Sequence, residues 1–364
     1  MREQYQNCRY SIDATRCREI SDSTALCKSP LVSVFMVTYN HASHIAKAIE
    51  GVLGQETDFP FELVIGEDCS TDGTREIVFE HQKRHPDIIR VITSQENVGA
   101  KNNARRTQSA CRGRYVAYCE GDDYWHHTRK LQIQVEYLEA HPEVGLVHSD
   151  ADVHLVGTGK TIRSYFKSEG RRQNHQDVLR ALIVREYRTH TCTMVIRRTL
   201  LQELRNECEE EFNMFVAGDS VTAIEAASRE KIKYFDESLA TYNRFPESMS
   251  HSKDPDRIIK IHEDCMNTRL HFAKKYGSTH YRELRTHIIK EHSRGLLSVA
   301  ARFCKPKVGR QCLRDLRSEG VSIRPIDCLR FVGSQYIVAC YLYRFFASVT
   351  HTFGNIAENT KSAA

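Results

Sequence analysis

The chain has 364 residues and a mass of 42.0 kDa, room for two ordinary domains or one large domain with an appendage. A hydrophobic fraction of 40% and a mean hydropathy of −0.51 exclude a polytopic membrane protein. The net charge of +5 suits an anionic small substrate or an acidic membrane surface and is too dilute to argue for a nucleic-acid partner. The 13 cysteines are odd in number and scattered without a CxxC pair, which excludes a complete disulfide framework and leaves a zinc cage unsupported. They read as reduced thiols, and residues 1–30 contain no apolar signal core, so the predicted compartment is the cytoplasm.

Residues 1–30 have no periodicity and read as an irregular or docking N-terminal arm. LVSVFMV at 31–37 is a β-branched apolar run, the pattern of a strand buried on both faces. It ends in Thr38-Tyr39-Asn40, and a helix over 42–54 follows, with Ile45, Ala48, Ile49 and Val52 at helical spacing. The cycle then repeats: strand 61–66, helix 74–84, strand 88–93, helix 100–111, strand 114–119, helix 128–140 and strand 144–148. Such alternation predicts βαβ units, an α/β fold with a mostly parallel, Rossmann-like sheet flanked by helices, and right-handed crossovers.

Beyond 150 the alternation stops. Residues 155–175 are polar and read as a loop or hairpin. Helices are expected near 176–186, 199–209 and 219–230, with short strands at 194–197 and 232–235. From 254 the pattern is helical, over 254–276, 281–303 and 308–319. Residues 331–350 hold 14 apolar residues of 20 and one charge, Arg344, with Gly333, Ser334, Arg344 and Ser348 on one stripe. This stretch reads either as a helix packed on the α/β domain or as an interfacial membrane helix with Arg330 and Arg344 as basic flanks.

In an open parallel sheet, ligands bind outside the carboxyl ends of the strands. The polar residues there are Thr38, Tyr39 and Asn40, then Glu67 and Asp68, then Glu120, Gly121, Asp122 and Asp123. Like charges held close cost stability unless a cation or hydrogen-bond donors sit among them. Helix capping is the alternative; it suits Ser70 and Asp72 better than two acids following the strand YVAYC. Paired carboxylates offer hard oxygen ligands to Mg²⁺ or Mn²⁺, which fill their remaining positions with water and substrate phosphates. A metal-bridged diphosphate is the chemistry implied. The chain has no GxxxxGK[ST] and no GxGxxG after its first strand, which argues against a P-loop NTPase and a dinucleotide oxidoreductase.

VSVFMVTYNH, ELVIGEDCSTDGT, ENVGAKNN and GRYVAYCEGDDYWHHTRKLQIQ arrive in order at these strand ends. Through them, residues 32–150 resemble the family-2 glycosyltransferases, nucleotide-sugar-dependent enzymes of the GT-A fold, of the bacterial polysaccharide-biosynthesis type. HTCTMVIRR at 190–198, AGDSVTAIEAA at 217–227 and FDESLATYNRFPESMSHS at 235–252 extend the likeness. The resemblance implies a GT-A-like domain over 31–250, with 31–150 as the nucleotide-binding half and 151–250 as the acceptor half. A helical region over 251–364 follows, with peripheral membrane contact through 331–350.

Position by position, the resemblance implies that Thr38, Tyr39 and Asn40 hold the nucleotide base. Asp68, with Glu67 beside it, would meet the base or ribose, and Lys101 and Arg105 would contact the nucleotide. Asp122 would take the ribose and Asp123 the Mn²⁺ or Mg²⁺. Asp219 matches the general base, although Gly218 stands where the family usually has a second acid; N-capping of helix 220–230 is the alternative for Asp219. The implied activity is inverting transfer of a sugar from a nucleotide diphosphate donor, UDP-linked, to a glycan or lipid-linked acceptor in surface polysaccharide synthesis. Two rivals stand beside it. A sugar nucleotidyltransferase would carry a glycine-rich basic loop after the first strand, which TYNHAS lacks; a non-catalytic glycan-binding relative would not need the intact acids.

Other features have bland and functional readings side by side. His126 and His127 read as the rim of the site or plain surface. Trp125 packs over the donor sugar or fills core. His190 and Thr191-Cys192-Thr193 border an acceptor pocket or belong to a buried strand. The basic stretch 268–316 is a solvated helix face or a surface for anionic lipid.

Overall fold

The computed structural model describes residues 17–171, 173–246, 254–336 and 339–340. The described residues of Met1–Met214 and Gly218–Phe245 form one unit, and those of Phe215–Ala217 and Pro246–Ala364 a second.

The first unit opens with β1 (Arg18–Ile20), β2 (Val32–Thr38), α1 (Ile45–Leu53), β3 (Phe61–Glu67), α2 (Thr74–Arg84) and β4 (Ile89–Thr93). Next come α3 (Ala100–Ser109), β5 (Tyr115–Tyr118), β6 (Tyr124–Trp125), α4 (Lys130–Ala140), β7 (Val144–Leu155) and β8 (Lys160–Ile162). It closes with α5 (Tyr165–Ser168), α6 (Val178–Ile183), β9 (Val195–Arg197), α7 (Arg198–Glu207), α8 (Glu209–Met214), α9 (Gly218–Ala227) and β10 (Lys231–Arg244).

Among the described residues the strands form one sheet in the order β1-β4-β3-β2-β5-β9-β7-β10-β6, with β8 paired to β7. Strands β4, β3, β2 and β5 run parallel. The chain builds outward from β2 through β3 to β4 and then returns to the other side of β2 with β5. That reversal is the switch point at which an α/β sheet opens a ligand crevice. Val32, Val34, Met36, Leu63, Ile65 and Tyr115 are fully buried, so these strands read as apolar runs rather than alternating ones.

The α/β expectation holds, with three informative differences. Within the stretch 1–30, Arg18–Ile20 pairs antiparallel with β4, so the part of the arm that is described adds a strand to the sheet edge. Strands β7 and β10 run far beyond the short segments expected at 144–148 and 232–235 and pair in parallel through several register shifts. Their added lengths carry Ser149, Asp150, Asp152, Asn243 and Arg244, polar residues that hide a strand from hydropathy while the partner strand supplies the ladder. The strand expected at 194–197 starts at Val195 and lies antiparallel between β5 and β7, after a single 3₁₀ turn at Thr191–Thr193.

An ionic cluster ties the arm to the sheet. Glu62 of β3 is fully buried and accepts from Ser33 Oγ at 2.6 Å, Arg112 Nη2 at 2.6 Å and Arg90 Nη1 at 3.1 Å. Arg90 also donates to Glu19 of β1 at 2.8 Å, and Arg112 to the carbonyl of Cys27 at 3.0 Å. Burial works to raise the Glu62 pKa, and the bonds from Arg112 and Ser33 outweigh it, leaving the carboxyl below its ordinary value.

The second unit contains α10 (Pro255–Tyr276), α11 (Tyr281–Phe303), α12 (Pro306–Ser318) and α13 (Pro325–Gln335). Ile259, Leu296, Leu297, Cys312, Leu313 and Leu316 form a core within it. On α13 the stripe of small residues faces inward: Gly333 and Ser334 are buried, with Ser334 against Gly309 of α12. Ile326, Leu329, Val332 and Tyr336 are exposed instead. Residues 337–338 and 341–350 of the apolar stretch lie outside the described residues. No described helix is long and apolar enough to cross a membrane.

Removing a partner from a buried ion cluster costs about 3–5 kcal/mol, because the remaining charge is left uncompensated. Glu62→Ala is therefore expected to lose stability of that order in urea unfolding. A loss below about 1 kcal/mol would show that the cluster is not what anchors the arm.

Candidate active site

The switch-point crevice is built from three chain segments that leave β2, β3 and β5. Thr38 ends β2, is buried, and accepts the backbone N–H of Asp68 at 3.1 Å through its carbonyl. Its hydroxyl lies 3.2 Å from His41 Nδ1. Tyr39 beside it is exposed. Asn40 takes a left-handed backbone with φ of 56°, a conformation asparagine tolerates better than most residues. Its N–H donates to Ser70 Oγ at 3.1 Å, and its side-chain oxygen accepts from Thr71 N–H at 2.9 Å. The loops after β2 and β3 are thereby clamped together.

Glu67 and Asp68, expected at the nucleotide, spend their carboxylates on the scaffold. Glu67 is fully buried and accepts from Ser70 N–H at 2.6 Å, Arg75 Nε at 2.6 Å and Thr93 Oγ1 at 2.8 Å. Burial would raise its pKa; these donors prevail and lower it. Asp68 accepts from the N–H groups of Val98 and Gly99 at 2.9 and 3.0 Å, fixing the turn into α3. Lys101 and Arg105, also expected at the nucleotide, sit one helical turn apart on α3. They donate instead to the carbonyl and side-chain oxygens of Asn213 at 2.8 and 2.7 Å.

The acid motif after β5 forms a tight turn, with Asp123 N–H donating to the Glu120 carbonyl at 3.0 Å. Gly121 lets the turn press on the end of β2: a Cβ there would stand 2.8 Å from Thr38 Cβ and 3.0 Å from Ile45 Cδ1. Asp122 is partly exposed, its carboxylate 4.0 Å from His41 Nε2. Asp123 is buried and accepts from Asn243 N–H at 2.8 Å, while Asn243 Nδ2 donates to the Asp122 carbonyl at 2.6 Å. Strand β10 thus holds the motif from the far side of the sheet. Burial, then the charges of Asp122 and Glu120, push Asp123 well above the usual carboxylate range. Glu120 is raised to about 8 by burial and then by Asp122, with Asp219 adding to it. Its Oε2 is buried without a hydrogen-bond partner.

The charge of Asp219 thus reaches Glu120 from α9, a helix distant in sequence. The residue lies inside the first turn of α9, and its Oδ2 accepts from Thr191 Oγ1 at 2.9 Å while Oδ1 accepts from Ser220 N–H at 2.8 Å. Glu120 was visible in sequence only as one more strand-end acid. Asn243 was hidden because its partners lie more than a hundred residues away, and Thr191, read as bordering an acceptor pocket or a buried strand, gave no local sign of its bond to Asp219. Lys130 was read only as part of a helix. It is buried beneath the motif, its ammonium 4.2 Å from the Trp125 ring centre and bonded to Gln134 at 2.7 Å, and burial lowers its pKa to about 7.

The even alternatives now separate. Trp125 fills core and donates its indole N–H to the Cys192 carbonyl at 2.8 Å. His126 ties β6 to β10 through Thr241 Oγ1 at 3.0 Å and the Ser238 carbonyl at 2.9 Å. Cys192 is a buried thiol pushed far up by burial, which disqualifies it as a nucleophile.

An acid whose folded pKa is raised binds more protons folded than unfolded, so the native state loses stability as pH climbs between the two values. For Glu120 that window is about pH 4.5 to 8. In metal-free protein, Glu120→Gln is expected to raise Tm relative to wild type at pH 8 and to leave it unchanged near pH 4.5. A Tm difference independent of pH would contradict the buried, protonated Glu120.

Residues 33–205 match the model of glycosyl transferase family 2. An uncharacterized protein of Mycobacterium tuberculosis is 44% identical over 112 residues, which cover 31% of this chain and 32% of that protein. The chain thus spans about a third of the length of the curated relatives it matches first. Among solved structures, S. aureus TarS 1–349 in complex with UDP-GlcNAc aligns with a TM-score of 0.52 at 16% identity, covering 86% of this chain and 91% of that one. The mannosyltransferase PcManGT of Pyrobaculum calidifontis, in complex with GDP-Man and Mn²⁺, aligns with a TM-score of 0.52 at 17% identity over 88% of each chain. These two likenesses concern the fold, an α/β sheet of GT-A type. Sequence model, sheet order and the motif set at the switch point agree that this chain carries a glycosyltransferase family 2 domain with a GT-A-like fold.

Proposed function

We propose that the protein transfers a sugar, with inversion, from a nucleotide diphosphate donor, UDP-linked, to a hydroxyl of a glycan or lipid-linked acceptor in surface polysaccharide synthesis. The observation that carries this reading is that Asp219, held by the Thr191 hydroxyl at 2.9 Å, lies close enough for its charge to act on Glu120 of the Glu120–Asp123 turn. It sets a carboxylate oriented by Thr191 beside an oxygen-rich site for a diphosphate.

The donor set fits Mg²⁺ or Mn²⁺. Its oxygens are hard, and one of them, Glu120 Oε2, is buried with no partner. Among the described residues no three His, Cys, Asp or Glu side chains gather as a cage. Asp123 would therefore hold the ion together with water and the donor's own phosphates, the usual arrangement for Mg²⁺. When bound, such an ion offsets the negative charge of the departing diphosphate.

The residues of the chain do the rest. Asp219 accepts the proton of the acceptor hydroxyl as that oxygen bonds to the anomeric carbon. The bond from this carbon to the donor phosphate oxygen breaks, and its electron pair leaves with the nucleoside diphosphate. The Thr191 hydroxyl and Ser220 N–H fix the face that Asp219 presents. Thr38, Tyr39 and Asn40 line the base, and Asp122 takes the ribose. Glu67 and Asp68 act one layer back by holding the loops, as do Lys101 and Arg105 through Asn213. The exposed apolar face of α13 supports peripheral contact with an acidic membrane on its cytoplasmic face.

Calorimetric titration with UDP and GDP, with and without Mn²⁺, tests the reading. Metal-dependent UDP binding is expected, weakened more than about tenfold in Asp123→Ala. Asp219→Asn should keep nucleotide binding and lose about 10²–10⁴-fold in transfer rate. Full transfer by Asp219→Asn would remove the base assignment, and folded protein that binds no nucleotide would remove the donor reading.

A further inference from the structure

The turn that carries the hydrogen-bond partner of Asp219 is itself held by side chains that the proposed reaction leaves unused. Within the 3₁₀ turn Thr191–Thr193, the Cys192 carbonyl accepts the indole N–H of Trp125 at 2.8 Å, and the Thr193 carbonyl accepts Nε2 of Gln134 at 2.9 Å. Gln134 is oriented in its turn: its Oε1 accepts from the Lys130 ammonium at 2.7 Å, one turn earlier on α4. That ammonium lies 4.2 Å from the centre of the Trp125 ring, so the three side chains and the turn close a loop. Lys130, Gln134, Cys192 and Thr193 are fully buried, and Trp125 is 3% exposed.

The contact between Lys130 and Gln134 has a direction. An amide can present either its oxygen or its nitrogen, whereas an ammonium has only donors; it meets the oxygen and leaves the NH₂ group facing the Thr193 carbonyl. Burying an ammonium is costly, and carbon side chains of similar volume would fill the space as stably. Packing alone would not select lysine here; the need to fix an orientation would. What that orientation serves is on the same turn, where the Thr191 hydroxyl donates to Asp219 Oδ2 at 2.9 Å. Trp125 follows Asp123 by two residues, so the loop also ties the acid turn to the turn that aims Asp219.

We propose that Trp125, Lys130 and Gln134 are positioning residues for the transfer: they fix the Thr191–Thr193 turn against the acid turn and so set the face that Asp219 presents to the acceptor hydroxyl. The proposal rests on the reading of Asp219 as the base. A displacement of about 1 Å at a reacting group is enough to cost about 10²-fold in rate.

The test is UDP release from UDP-glucose, UDP-galactose and UDP-N-acetylglucosamine with Mn²⁺, with octyl glucoside or water as acceptor. It is run beside calorimetric UDP binding and the indole N–H resonance of Trp125, the sole tryptophan. Gln134→Met is expected to lower kcat about 10- to 100-fold and displace the indole resonance, with UDP affinity unchanged. Gln134→Glu keeps an oxygen for Lys130 but turns another toward the Thr193 carbonyl, and should lose as much. In an Asp219→Asn background Gln134→Met should cost nothing further, because residues that act as a unit are not additive. An equal loss in both backgrounds overturns the proposal and leaves support of the fold alone; wild-type kcat in Gln134→Met overturns it too. Lys130→Met carries the same comparison if Gln134→Met fails to fold. Full transfer by Asp219→Asn removes the base reading and the proposal with it, whereas loss of transfer there with normal Gln134→Met removes the proposal alone. If no donor is turned over, the resonance decides: displacement by Asp219→Asn that vanishes in Gln134→Met supports the coupling, and an indole resonance indifferent to Asp219→Asn overturns it.

Discussion

Packing three carboxylates into one four-residue turn at the end of a buried sheet is the constraint around which the α/β unit is arranged. Burial, and then the charge of Asp122, raise the proton affinity of both Glu120 and Asp123. A turn of that kind survives only if its backbone is held from several sides. Gly121 allows contact with Thr38, the N–H of Asp123 closes on Glu120, and Asn243 grips both Asp122 and Asp123 from β10. The length of β10, its parallel pairing with β7 and the small antiparallel strand β6 all bring Asn243 to that place.

The same logic separates residues that face a ligand from residues that make the facing possible. Glu67 and Asp68 look like site acids because they end a strand, yet their oxygens are saturated by Ser70, Arg75, Thr93, Val98 and Gly99. A carboxylate with three donors has little left to offer a nucleotide. Glu120 is the reverse case, with a buried oxygen that no group of the chain satisfies. A polar group left unpaired in a well-bonded interior is the exception that calls for a physical reason. Glu120 is such a case at the acid turn, where the charge of Asp219, itself fixed by the Thr191 hydroxyl, also reaches it.

By itself the sequence determined the strands and helices of 31–150, because each strand there is a continuous apolar run and each helix has its own period. It also located the strand-end acids and the family, because local motifs carry both. Tertiary structure alone decided the rest. The reach of β7 and β10 depends on the ladder each gives the other, and polar residues such as Asp150 and Asn243 mask it in a hydropathy reading. Which acids are spent on the scaffold, and that the charge of Asp219 reaches Glu120 across about a hundred residues, follow from the packing of distant segments. No local pattern records them: a carboxylate's chemistry is set by its neighbours in space, and those are fixed only when the sheet is assembled.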